Sequence, residues 1–91
     1  MAAWAEPRQL PSRGGQVQIL IRIRRPNGQP YAGVQVRVRA NTGTLFSGGH
    51  PLVTDANGMT RDRLTSRREA EVIVQVGDTR YRFKIPVVGQ S

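Results

Sequence analysis

The chain has 91 residues, enough for one domain and too few for two, since a domain runs to roughly 100–200 residues. Its 14 lysines and arginines against 6 acids give a formal net charge of +8, and 37% hydrophobic with 22% charged residues is a globular rather than a disordered composition. The absence of cysteine excludes disulfides, thiolate catalysis and Cys-ligated zinc, and no apolar run approaches the roughly 20 residues of a membrane-spanning helix.

Met1-Ala2-Ala3-Trp4-Ala5 has neither a basic n-region nor an apolar h-region, so the sequence contains no complete signal peptide. Ala3-Trp4-Ala5 does have the A-x-A form of a cleavage site, which hints at a chain cut from a longer exported precursor. Prolines and glycines without apolar periodicity in residues 6–15 read as linker, so residues 1–15 are expected to be a flexible N-terminal segment.

Alternation begins at Gln16. Val17, Ile19, Ile21 and Ile23 fall on one face and Gln16, Gln18, Arg22 and Arg24 on the other, a period of two that predicts a strand. Leu20 interrupts the polar face and suggests contact with a neighbour. Pro26-Asn27-Gly28 supplies a turn. Val34–Ala40 then places Val34, Val36 and Val38 inward and Gln35, Arg37 and Arg39 outward. Asn41 to Pro51 reads as loop, with Thr44-Leu45-Phe46 a short strand within it. Asp55-Ala56-Asn57-Gly58 is a second turn, leading to a strand near Met59–Thr65. Glu71–Val76 points Val72, Val74 and Val76 inward. Thr79–Val87 sets Tyr81, Phe83, Ile85 and Val87 against Arg80, Arg82, Lys84 and Pro86. Pro86 cannot donate to a central ladder, so this strand should end on a sheet edge. No segment repeats apolar residues at helical spacing, so essentially no helix is expected. About seven short strands, with turns roughly every 8–12 residues, predict an all-β antiparallel sandwich or barrel.

Pro26-Asn27-Gly28-Gln29-Pro30-Tyr31-Ala32-Gly33-Val34-Gln35-Val36 resembles the "NGxPxxGVxV" signature of bacterial Ig-like domains of the invasin/intimin type. Thr54-Asp55-Ala56-Asn57-Gly58-Met59-Thr60 resembles their "TDxNGxA" turn. Leu64-Thr65-Ser66 with Ala70-Glu71-Val72-Ile73-Val74 resembles their "LTS…GxAxVTA" strand pair, and Gly43-Thr44-Leu45 their "GTL". Arg67-Arg68-Glu69 departs from the small turn usual there, and the exposed faces are more basic than usual. Carboxypeptidase regulatory-like and transthyretin-like sandwiches share "GxPxxGxxV…TDxxG" and are a neighbouring resemblance. The likeness implies an Ig-like β-sandwich over residues 16–88, with 89–91 a C-terminal tail.

Recognised site chemistry is missing. His50 has no second histidine or cysteine to join it. Asp55-Ala56-Asn57-Gly58 fails as an EF-hand loop, because glycine comes at the fourth position and Ser66 stands where the closing glutamate belongs. There is no G-x-S-x-G, P-loop or H-E-x-x-H. No catalytic, metal or cofactor-binding residues are therefore assigned, and no enzyme activity is expected.

The basic residues stand out instead. All except Lys84 are arginine, whose planar fork binds carboxylates and phosphates bidentately. Arg22, Arg24, Arg37, Arg39, Arg80, Arg82 and Lys84 all lie on outward strand positions. If their strands share a sheet, they form a patch suited to a polyanion. The expected function is a non-catalytic structural or interaction module, a spacer or adhesion-type domain of a larger bacterial envelope or secreted protein, and hence extracytoplasmic. Its expected partners are neighbouring domains and a protein or anionic glycan on a cell surface. One alternative is a nucleic-acid-binding β-barrel, disfavoured because stacking aromatics are scarce. Another is an accessory glycan-binding domain of an exported enzyme.

Overall fold

The computed structural model describes residues 2–88. Eight strands follow one another: β1 (Ala2–Glu6), β2 (Gly15–Arg22), β3 (Gln35–Ala40), β4 (Thr44–Leu45), β5 (Leu52–Val53), β6 (Met59–Ser66), β7 (Ala70–Val76) and β8 (Thr79–Ile85). They form two four-stranded sheets, ordered β1-β2-β6-β4 and β5-β3-β7-β8, in which every pair of neighbours is antiparallel. No helix is present among the described residues. The architecture is the expected all-β sandwich, with eight strands where about seven were anticipated.

The alternation read from the sequence decides what each sheet buries. Val17, Ile19 and Ile21 of β2, Val36 and Val38 of β3, Leu64 of β6, Val72 and Val74 of β7 and Ile85 of β8 meet in one dry layer, none more than 1% exposed. Fully burying each such side chain stabilises the fold by roughly 1.5–3 kcal/mol, so two valine- and isoleucine-lined faces have ample reason to close on each other.

Two expectations are corrected. Residues 1–15 are not a flexible segment throughout, for Ala2–Glu6 runs antiparallel to β2 with Ala5 opposite Ile19. Ala3 and Ala5 are buried there, and further along Leu10 is fully buried, bridging Val87 in parallel. Tyr81 is on the inner side of β8, opposite Val74, yet remains 40% exposed because the core does not extend over that end of the strand. Asn41 to Pro51 carries β4 as expected, and the chain enters β5 directly after it. The expected tail at 89–91 lies outside the described residues.

Among the described residues no buried side-chain nitrogen or oxygen lacks a hydrogen-bond partner. The Thr54 hydroxyl donates to Tyr31 O (2.6 Å) and accepts from Val34 N–H (2.9 Å), tying the end of β5 to the start of β3. Asp62, 3% exposed and facing Ile19 across the β2–β6 ladder, accepts from Ser47 N–H (3.0 Å), the Ser47 hydroxyl (2.6 Å) and Arg63 N–H (2.8 Å). The Asp55 turn is held by its own carboxylate, which accepts from Asn57 N–H and Met59 N–H.

Candidate functional site: a basic sheet face

β7 lies between β3 and β8, and its register decides which basic residues meet. Arg37 pairs with Gln75 and Gln75 with Arg80; Arg39 pairs with Ile73 and Ile73 with Arg82; Glu71 pairs with Lys84. Directly opposed residues point to the same side of a sheet. Because Val72 and Val74 face the core, this entire set faces solvent. Two ranks of arginine thus flank the central strand. Strands are ~4.8 Å apart and alternate residues ~6.7 Å apart, so the four arginine Cα atoms outline a rectangle of roughly 10 by 7 Å.

The face is well furnished for anions. Ile73, half-buried and opposed by both Arg39 and Arg82, is an apolar residue of the kind on which arginine stems lie. Glu71 is the one acid on the outward positions of these three strands. Its Oε1 is 3.8 Å from Arg82 Nε in an exposed contact, a geometry worth little in water. Arg37, Arg39, Arg80 and Lys84 form no ion pair among the described residues. Fixed guanidinium groups at this spacing can take several carboxylates at once through charge-assisted, bidentate bonds.

Two of the seven expected residues do not join this face. Arg22 is on β2 in the other sheet, its guanidinium 5.8 Å from the Trp4 ring centroid. Arg24 follows the end of β2, where it bridges Pro30. Alternation tells which side of a strand a residue takes but not which strands are neighbours, so sequence reasoning could not separate them from the other five.

The opposite outer face holds residues the sequence reading left unassigned. Trp4, Leu20 and Arg61 stand in one row across β1, β2 and β6, and Glu6, Gln18 and Arg63 in the next. Trp4 Nε1–H donates to Glu6 Oε1 at 3.1 Å. Leu20's break in the polar pattern was the available signal, and its neighbour is Trp4. His50 is in an exposed loop. Among the described residues no group of three or more His, Cys, Asp or Glu side chains could hold a metal ion, and no helix is long and apolar enough to cross a membrane.

No protein-family model matches this sequence, and no curated protein matches it. Solved structures do. The chain superposes on invasin, a bacterial integrin-binding protein, with a TM-score of 0.81 over 96% of its own length at 24% identity. It matches the D0–D1 domain of intimin at 0.79 over 96% (17% identity), and a C-terminal 282-residue fragment of intimin, in complex with the intimin-binding domain of the translocated intimin receptor Tir, at 0.70 over 94% (19% identity). It spans 18% of the invasin chain, 46% of the first intimin chain and 30% of the second. The fold is therefore the Ig-like sandwich found in invasin and intimin, as the turn and strand motifs imply.

Proposed function

We propose that the chain is a non-catalytic, adhesion-type Ig-like module of a longer, extracytoplasmic bacterial protein, and that it docks an acidic surface of a protein partner through the outer face of β3, β7 and β8. The observation that carries this reading is the register that sets Arg37 and Arg80, and Arg39 and Arg82, as two ranks across β7. The similar structures lend support of a coarser kind. Invasin is integrin-binding and the intimin fragment is bound to Tir, so sandwiches of this fold occur in proteins that engage protein receptors. A stiff β-sandwich suits that work, because it holds a face rigid while carrying load between neighbouring domains.

Four of the six acids already have partners: Asp55 is committed to its turn, Asp62 accepts from Ser47 and Arg63, and Glu6 and Glu71 are engaged by Trp4 and Arg82. Titrating isotope-labelled protein with decaglutamate at low salt is expected to shift the resonances of Arg37, Arg39, Arg80, Arg82 and Lys84, with affinity falling steeply as salt rises. Shifts spread evenly over Arg8, Arg13 and Arg67 as well, or none at low salt, would overturn the reading.

A further inference from the structure

The basic face ends at a strand with an open side. β8 is the last strand of its sheet, and among the described residues no backbone group pairs with its outer edge; the bridge from Leu10 reaches Val87, beyond the strand. The four sheet edges are unequal. β4 and β5 have two residues each, β1 has five and β8 has seven, and a two-residue edge is too short to template another chain. β8 is also the least buried of the long strands, with Ile85 alone fully covered.

Its two sides carry opposite chemistry. Arg80, Arg82 and Lys84 project outward, while Tyr81 and Phe83 project to the inner side with ring centroids 6.0 Å apart, tilted at 47°. Tyr81 is 40% exposed and Phe83 half-buried, so an aromatic ledge runs beside the unpaired backbone with nothing described covering its far end. A second copy of β8 would bring cations against cations, and like charges directly opposite are destabilising in a ladder. The three cations thus guard the edge against self-pairing while leaving it open to a strand of opposite sign.

We propose that the outer edge of β8 accepts an extended acidic segment of a partner protein as an added strand. Its carboxylates pair with Arg80, Arg82 and Lys84, and its alternate apolar side chains cover Tyr81 and Phe83. The proposal rests on the reading of the basic face as a docking surface for acidic groups, and adds main-chain hydrogen bonding to it. Strand addition of this kind takes affinity from the backbone and specificity from alternate side chains.

The test uses the 91-residue chain and a synthetic peptide that alternates aspartate and valine along the length of β8. Amide hydrogen exchange across Thr79–Ile85 is expected to slow at least about tenfold in unpaired edge amides at saturating peptide. Tyr81→Ala, at an exposed position, is expected to weaken binding by roughly tenfold. The same peptide N-methylated at alternate amides keeps its charges but cannot complete the ladder, and should neither bind as tightly nor protect β8. Equal binding by the methylated peptide, or binding without protection of β8, overturns strand addition. Decaglutamate separates the two readings: if it still binds while the alternating peptide gives β8 no protection, strand addition fails and the basic face stands, whereas loss of all anion binding fails both.

Discussion

Gly58→Ala is expected to lower stability by ~3 kcal/mol or more, a loss near the upper end of what single substitutions produce. Gly58 has φ +72°, a conformation that costs a side-chain-bearing residue roughly 1–2 kcal/mol on its own. Space makes the larger contribution. A Cβ there would collide with Ile23 O and approach Tyr31 N within 2.9 Å. These atoms belong to a junction of three segments, in which Ile23 N–H donates to Gly58 O (2.8 Å) and Tyr31 N–H donates to Ile23 O (3.0 Å). Backbone cannot swing aside as a side chain can, so alanine must open the junction between the end of β2, the approach to β3 and the turn before β6. Gly28 supplies the internal control: its φ is +87° but an added Cβ meets nothing within 4 Å, so Gly28→Ala should cost only about 1 kcal/mol of backbone strain. Urea unfolding followed by circular dichroism measures both. Equal losses at the two positions would contradict the packing argument.

Asp62→Ala should be nearly as damaging, at about 3 kcal/mol. The carboxylate is enclosed between the sheets and accepts from Ser47 N–H, the Ser47 hydroxyl and Arg63 N–H. Truncation leaves these part-buried donors without their acceptor and opens a void beside Ile19. Asp62→Asn keeps an acceptor for the backbone donors and should lose roughly half as much, because bonds to a charged acceptor are about twice as strong as neutral ones. In a double-mutant cycle with Ser47→Ala, a coupling energy of at least ~1 kcal/mol is expected. Strictly additive losses would show that the Ser47 turn is held by something other than this carboxylate.

The strands whose inner faces are valine and isoleucine were readable because period-two alternation is itself the physical cause of their burial. β2, β3 and β7 are those strands, and the turns at Asn27-Gly28 and Asp55–Gly58 close where small or glycine residues permit reversal. β1 was not readable. Ala2-Ala3-Trp4-Ala5-Glu6 has weak strand propensity, and it extends because the free edge of β2 pairs with it and buries Ala3 and Ala5 opposite Ile21 and Ile19. Asp62 escaped for a related reason. The inward positions of β6 are Thr60, Asp62, Leu64 and Ser66, so hydrophobic alternation hardly marks which side is buried, and the satisfying partner comes from Ser47, distant in sequence. The candidate site was half legible. The outward direction of Arg37, Arg39, Arg80, Arg82 and Lys84 follows from alternation, but their meeting across β7, and the exclusion of Arg22 and Arg24, depend on strand order, which no local pattern encodes.

That five-residue face can be tested against mere overall charge with two quadruple variants of equal net charge. Arg37→Ala, Arg39→Ala, Arg80→Ala and Arg82→Ala together remove four of the eight excess charges; Arg8→Ala, Arg13→Ala, Arg67→Ala and Arg68→Ala remove the same number from exposed positions elsewhere. With decaglutamate at low salt, the first variant should lose at least about tenfold in affinity and the second should stay within about threefold of the parent. Equal weakening in both would mean that anions respond to net charge alone, and would contradict a docking site built across β3, β7 and β8.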